Sequence, residues 1–215
     1  MSDFKKKIKH LREDFNRYKI DFKNLPEHPV SLFSKWMEQA LEKNDEANAF
    51  VLSTVSDKNT PSSRVLLLRD FDTKGFTFFT NYKSIKANDI ENNNNVALNF
   101  YWPKFQRQVR IIGLAEKILD LDSDKYFSSR PRESQIGAWV SQQSAIIPLD
   151  TAFANKMQNM ANKFKGKKVE RPLNWGGYKV MPKSVEFWQG RPSRLHDRVR
   201  YTLDKGSWKL DRLSP

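Results

Sequence analysis

The chain has 215 residues, 38% hydrophobic and 13% aromatic, and carries 38 Lys and Arg against 25 Asp and Glu for a net charge of +13. That composition supports a globular core, while zero cysteines exclude disulfides, thiolate catalysis, iron–sulfur clusters and cysteine-bound zinc. The three histidines, His10, His28 and His196, are too scattered for a paired ligand site, so no metal is expected.

No stretch approaches the roughly 20 apolar residues of a membrane span. The start, Met-Ser-Asp-Phe-Lys-Lys-Lys, lacks a secretory apolar segment, so a cytoplasmic protein is expected. The positive charge raises nucleic acid as a partner. However, basic residues alternate with acidic ones along the whole chain, without zinc-finger, basic-zipper or RNP-like patterns, and no nucleic acid is expected.

In chain order, Phe4, Ile8, Leu11 and Phe15 recur at helical spacing and predict an amphipathic helix, with the Lys-Lys-Lys run facing water. After the Leu25-Pro26 and His28-Pro29 breaks, Leu32, Phe33, Trp36, Met37, Ala40 and Leu41 predict a second helix with a wide buried face. From Ala49 the pattern shifts to short strands at Ala49–Val55, Ser63–Leu68, Phe76–Thr80, Val96–Tyr101 and Gln108–Ala115, which together read as an antiparallel meander. Ser84 is placed to cap a short helix running to about Glu91, ended by Asn92–Asn95. Helices follow at about Asp122–Ser129, Ser134–Ser141 and Leu149–Lys163, then strands near Tyr178–Val180, Val185–Trp188, Arg198–Leu203 and Trp208–Leu210. Lys163–Lys168 reads as an exposed basic loop. The fold class is therefore mainly β with surrounding helices (α+β).

No Gly-x-Gly-x-x-Gly or Gly-x-x-x-x-Gly-Lys-Ser/Thr motif is present, which removes Rossmann and P-loop nucleotide sites. No Gly-x-Ser-x-Gly elbow supports a hydrolase. Redox chemistry would have to come from a bound cofactor.

Several segments suit anions. Arg64 and Arg69 bracket the apolar run Val65, Leu66, Leu67, Leu68 with opposite strand parity. Ser84 and Lys86 sit at a helix start, where free N–H groups and a lysine favour an anion. Tyr126 and Arg130 lie four apart on a predicted helix, hence on one face, with Pro131 ending it just before Ser134 opens the next. In an extended chain Arg194, His196 and Arg198 share one face beside Trp188, a row suited to a planar anionic ligand. Taken one at a time, each pattern is equally compatible with capping, a surface pair or a solvated basic hairpin.

Together, and in this order, these segments resemble the pyridoxine/pyridoxamine 5′-phosphate oxidase family of FMN enzymes. The resemblance runs nearly the whole chain, through Leu11-Arg12, Arg64–Arg69, Phe79-Thr80-Asn81, Arg107-Gln108-Val109, Tyr126-Phe-Ser-Ser-Arg130-Pro-Arg-Glu-Ser134, Trp175-Gly-Gly, Glu186-Phe-Trp188, Arg194-Leu-His196-Asp-Arg198 and Asp211-Arg-Leu-Ser-Pro215. It implies one FMN-binding split β-barrel domain over 1–215. An N-terminal helical segment covers about 1–45, a C-terminal binding segment covers about 172–215, and the protein forms a homodimer with FMN in a cleft between subunits.

By that resemblance Arg64, Val65, Leu66, Leu67, Leu68, Arg69, Phe79, Thr80, Lys86, Gln108, Gln143, Ser144, Trp188 and Arg198 form the FMN set. Arg12, Phe15, Arg69, Tyr126, Arg130, Ser134, Arg194 and His196 form the substrate set, with Arg194 and His196 nearest the chemistry. The implied reaction oxidises pyridoxamine or pyridoxine 5′-phosphate to the aldehyde, with O2 as acceptor and hydrogen peroxide as product.

Three positions depart from the family pattern. Arg69 stands where lysine is usual, Ile85 where Ser-Arg-Lys would place a second cation, and Phe15 where tyrosine is frequent. Two other readings accompany this one: a split-barrel flavoprotein acting on another small molecule, and a non-enzymatic FMN- or pyridoxal-phosphate-binding protein.

Overall fold

The computed structural model describes residues 3–10, 14–43 and 46–215. Arg12 and Leu11, both named above, lie outside the described residues. The helices are α1 (Asp3–His10), α2 (Pro29–Leu41), α3 (Ile85–Asn92), α4 (Asp120–Ser129), α5 (Arg132–Val140) and α6 (Phe153–Lys163). The strands are β1 (Ala49–Val55), β2 (Pro61–Leu67), β3 (Asp70–Asp72), β4 (Gly75–Asn81), β5 (Asn95–Trp102), β6 (Arg107–Lys117), β7 (Trp175–Gln189), β8 (Asp197–Asp204) and β9 (Ser207–Arg212).

The strand order is β2-β1-β5-β6-β7-β4-β3, with β8 on β7 and β9 on β8. This is not the expected meander. The pairs β1–β2 and β3–β4 are antiparallel neighbours, but β4 pairs with β7 and β1 with β5. Alternation of apolar residues fixes which face a strand buries, not which strand lies beside it. The connection bearing α3 is long enough to carry the chain away from β4 before β5 begins.

The two short strands expected around residues 178–188 are a single strand of 15 residues, β7. Its first part pairs with β4, from Asn81↔Trp175 to Phe76↔Val180. Its last part pairs with β8, from Ser184↔Thr202 to Gln189↔Asp197. Pro182 falls between these two ladders, where neither demands its missing N–H.

The chain forms two compact units. The first comprises Met1–Ala47, Asn99–Arg110 and Ser184–Pro215. Its core is α2: Pro29 occupies the first turn, His28 Nδ1 accepts a hydrogen bond from the Val30 N–H, and Leu32, Phe33, Trp36, Met37 and Ala40 are buried. Phe33 meets Phe100 edge-on at 5.1 Å, and Trp36 meets Phe187 at 5.2 Å. Leu41, expected on the buried face, is instead 52% exposed. Among the described residues helix α1 spans Asp3–His10 with Phe4 and Ile8 exposed, and Phe15 is not helical. Two residues of the expected stripe are thus uncovered, and Phe15 packs separately against Trp188.

Arg107 is buried in this unit among the rings of Trp36 (4.4 Å), Tyr18 (5.0 Å) and Phe105 (5.4 Å). It donates to Gln39 Oε1 (2.6 Å) and Gln189 Oε1 (2.9 Å). Burial pushes its pKa down to about 10.

The second unit comprises Asn48–Leu98 and Ile111–Lys183. Phe50, Leu52, Phe78, Leu98, Ile111 and Val180 fill its sheet core. A second cluster, Phe127, Ile136, Val169 and Trp175, seats α4, α5 and α6. The Lys163–Lys168 stretch is largely exposed, as its charge requires. No described helix is long and apolar enough to cross a membrane.

Candidate functional site

In the second unit two groups of cations are built into the protein. The first surrounds the N-terminus of α3. Lys86 is buried, and its ammonium donates to Ser84 Oγ (3.2 Å) and Gln143 Oε1 (3.1 Å), both neutral acceptors. Thr80 Oγ1 donates to the same Gln143 oxygen at 3.1 Å. Burial first, and the nearby Arg64 guanidinium second, bring Lys86 down to about 8. Arg64 is itself lowered by burial, with Asp89 opposing.

Ser84 precedes α3 as expected, but its side chain makes no capping hydrogen bond. Its hydroxyl is given to Lys86 instead. Ser144, at a left-handed φ of 71°, accepts the Ile85 N–H at 3.4 Å. Beside these groups, β2 ends the sheet order with Val65 exposed, so one edge of residues Arg64 to Leu67 offers backbone groups to a ligand. Two desolvated cations with neutral oxygens around the lysine suit a phosphate.

The second group lines a cavity of about 510 Å³, whose walls include Arg69, Phe79, Tyr126, Arg130, Ser134 and Trp175. Phe79, Tyr126 and Trp175 form a parallel aromatic wall. Phe79 and Tyr126 centroids are 3.8 Å apart with planes at 14°, and Phe79 and Trp175 are 5.4 Å apart at 10°. Arg130 lies 4.5 Å over Trp175, and its Nη1 is buried without a hydrogen-bond partner. Burial lowers its pKa, Tyr126 opposes, and Arg69 lowers it further. An orphaned guanidinium nitrogen facing a second cation across a cavity is a strong demand for an anion.

Local structure explains this convergence. Arg130 caps the C-terminus of α4 in extended conformation, one residue beyond the helix that was expected to carry it. Helix α5 begins at Arg132, so Ser134 sits in its first turn and does not open it, because Pro131 takes the cap position. Gln135 Nε2 donates to the Arg130 carbonyl at 2.9 Å and closes the connection. Arg171, its side chain only 5% exposed, clasps α4 through Asp124 (2.5 Å) and Asp120 (2.7 Å) and donates to the Trp175 carbonyl (2.6 Å).

The remaining residues belong to the first unit. Here the strand-parity reading of Arg194, His196 and Arg198 is corrected. A 3-10 turn covers Pro192–Arg194, Ser193 and Arg194 have left-handed φ of 54° and 62°, and β8 starts only at Asp197. Pro192 begins a turn and the left-handed pair takes the chain out of the pleat.

Arg194 is exposed. His196 is half-buried, its ring 4.6 Å from Trp188 and 5.9 Å from Phe15. Its Nδ1 accepts the Arg191 N–H at 3.1 Å, leaving the neutral ring's proton on Nε2. Burial first, then Arg194 and Arg198, lower its pKa, with Asp197 opposing. Gly190 is required because a Cβ there would lie 2.7 Å from Phe15 Cγ.

Arg198 donates to Glu186 Oε1 (2.9 Å) and to the Ser214 carbonyl (2.7 Å), and Arg110 pairs with the other Glu186 oxygen. Burial alone would raise Glu186, but hydrogen bonds from Arg198 and Arg110 outweigh it and hold the carboxyl below its usual range. Gln108 is half-buried on β6.

The structure therefore brings together Arg64, Thr80, Lys86, Gln143 and Ser144, and separately Arg69, Phe79, Tyr126, Arg130 and Ser134, within one unit. In the other unit it assembles Phe15, Trp188 and His196. Sequence reasoning gave no role to Asp89, Trp175, Glu186 or Arg171. Asp89 lies three residues beyond Lys86 on α3, and that spacing alone would have placed both on one helix face.

The mainly β fold with helices around it, and its two built-in groups of cations, define a protein that binds phosphate-like anions. A family model described as Pyridoxamine 5′-phosphate oxidase matches residues 37–164. A second, described as Pyridoxine 5′-phosphate oxidase C-terminal dimerisation region, matches 175–215. A pyridoxine/pyridoxamine 5′-phosphate oxidase from Nostoc punctiforme is 45% identical over 212 residues, covering 98% of this chain and 99% of its own length. The Crocosphaera subtropica enzyme of the same name is 47% identical over 209 residues, 95% and 98% of the two chains. Among solved structures, PhzG from Burkholderia lata in complex with tetrahydrophenazine-1-carboxylic acid superposes with a TM-score of 0.88 at 25% identity, covering 94% of this chain and all of that one. The chain belongs to the pyridoxine/pyridoxamine 5′-phosphate oxidase family.

Proposed function

We propose that this chain catalyses the FMN-dependent oxidation of pyridoxamine 5′-phosphate or pyridoxine 5′-phosphate to pyridoxal 5′-phosphate, as a homodimer with FMN held between subunits. The observation that carries this reading is the pair of cation groups in one unit, each with its own unmet demand for a phosphate: buried Lys86 beside Arg64, and Arg130 with its orphaned Nη1 beside Arg69. A flavin mononucleotide and a phosphorylated vitamer each carry one such group. Bound FMN would supply the two-electron acceptor for C4′ of the substrate, with O2 as the final acceptor and hydrogen peroxide the product.

The chain's own contribution is grip and orientation. Tyr126, Arg130, Ser134 and Arg69 hold the substrate phosphate, so binding energy from that remote group is converted into placement of the ring. A substrate without phosphate loses rate as well as affinity. His196, with Nδ1 committed to the Arg191 N–H, acts as a donor from Nε2 to a substrate oxygen or nitrogen. Nε2 already carries the ring's proton, so it can give one but not take one; protonation at Nδ1 would break the bond from the Arg191 N–H and create a charge that burial and two neighbouring arginines disfavour. Arg194 supplies a fixed cation beside that donor and stabilises charge shifting across the ring.

The test is oxygen uptake and peroxide release on adding each vitamer, together with extraction of the bound chromophore. Uptake with phosphorylated vitamers alone supports the reading. A yellow protein that ignores them and consumes oxygen with an unphosphorylated reduced heterocycle would favour the alternative that the PhzG likeness raises.

A further inference from the structure

Asp89 is 2% exposed, and its Oδ2 receives two hydroxyls: Thr54 Oγ1 at 2.6 Å and Ser62 Oγ at 3.2 Å. The same two oxygens accept from Arg64, Nη1 to Thr54 Oγ1 at 2.7 Å and Nη2 to Ser62 Oγ at 2.6 Å. A guanidinium can only donate, so each hydroxyl accepts from the arginine and has its own proton left for the carboxylate. Thr54 and Ser62 are directly opposed in the β1–β2 register, which places the hydroxyls side by side, 3.2 Å apart.

We infer that Asp89 is a positioning residue for cofactor binding, aiming Arg64 at the FMN phosphate through the hydroxyls of Thr54 and Ser62. The inference rests on the flavin reading above.

The geometry of the fork supports it. A guanidinium presents two paired edges, one formed by Nη1 and Nη2 and one by Nε and the other N–H of Nη2. Thr54 and Ser62 occupy the first, and the Leu52 carbonyl takes a further Nη1 bond at 3.4 Å. The second edge stays intact for two phosphate oxygens. A direct carboxylate–arginine pair would have occupied the same edge but cancelled the cation at short range. The hydroxyl relay fixes the rotamer while the carboxylate stands one hydrogen bond further back.

The sequence sets this up with one short helix. Asp89 and Lys86 are three apart on α3, so a single element delivers the lysine that meets the anion and the carboxylate that steers the arginine. The relay also opposes the mutual repulsion of Arg64 and Lys86, a repulsion evident in the lowered value of Lys86.

The experiment compares FMN with riboflavin, which shares the ring system and lacks the phosphate. Native protein stripped of flavin, Asp89→Ala, and the double variant Thr54→Val/Ser62→Ala are titrated with each by flavin fluorescence. FMN should bind about tenfold more weakly to both variants, the scale of one misaimed charged hydrogen bond, with riboflavin affinity unchanged within about twofold. Unchanged FMN affinity in both variants, or equal losses for FMN and riboflavin, would overturn the inference. The double variant leaves Asp89 in place and carries the test if Asp89→Ala does not fold. Native protein that binds neither flavin would overturn the flavin reading itself.

Discussion

The cation groups of the second unit and the turn at Pro192–Arg194 of the first use arginine in opposite ways. Lys86 is buried among neutral acceptors, and the half-buried Arg130 keeps its Nη1 out of water without a hydrogen-bond partner among the described residues. Arg194 is exposed and rides on two consecutive left-handed residues. A phosphate that must stay put needs charge that is already desolvated, because only then is the attraction strong. A ring that must enter, react and leave is better served by a solvated side chain on a stiff turn, where no burial cost accompanies each cycle.

Breaking the buried side of this comparison should have the largest effect. Arg130→Ala is expected to raise KM for phosphorylated substrates by about 30-fold or more, since losing one partner of a buried charged pair costs roughly 2–5 kcal/mol. Steady-state kinetics with an unchanged KM would remove Arg130 from the phosphate site. On the exposed side, Arg194→Ala should lower kcat by about a hundredfold, as loss of one transition-state donor does, while flavin content stays native. Parallel loss of turnover and flavin would make that arginine structural.

A pH series sharpens the contrast. Lys86 sits at about 8 against an ordinary 10.5, so the folded chain holds this proton less tightly than the unfolded chain. Its charge therefore opposes folding below about pH 8, and the penalty fades as pH rises toward 10.5. Phosphate binding needs the ammonium, so FMN affinity measured by fluorescence titration should fall as pH rises through about 8. Lys86→Gln should bind weakly at every pH and show no such step. Smaller still, Ile85→Arg restores the cation usual in the family and should tighten FMN by about three- to tenfold. Ser193→Gly should shift the unfolding free energy by no more than about 1 kcal/mol, because relief of the left-handed backbone is offset by the glycine's entropy. Chemical denaturation of this variant beside the native protein would check that.

Much of this was legible in the residues. The period-two runs marked β1, β2, β4, β5 and β6 within two residues of their observed bounds, and the 3.6-residue period marked α2. The order of arginines, tyrosine and tryptophan pointed to phosphate and flavin. What stayed hidden was of a different kind. The pairing of β4 with β7 joins segments about a hundred residues apart, and no local periodicity encodes a partner. Arg194 looked like a strand residue because parity assumes an unbroken pleat, which Ser193 and Arg194 abandon. Asp89 drew no role from the sequence. Only the β1–β2 register puts two hydroxyls between it and Arg64.

The setting of Arg107 has a bearing on how the protein meets acid. Its partners are three rings and two amides, with no carboxylate among them. Protonation of Glu186 releases the latches it forms with Arg110 and Arg198, whereas the hydrogen-bond and ring partners of Arg107 among the described residues include no carboxylate to protonate. The compact species that survives low pH should therefore keep α2, the Pro103–Phe105 turn and the end of β7 tied together, its residual order dictated by aromatic faces after the ion pairs have gone.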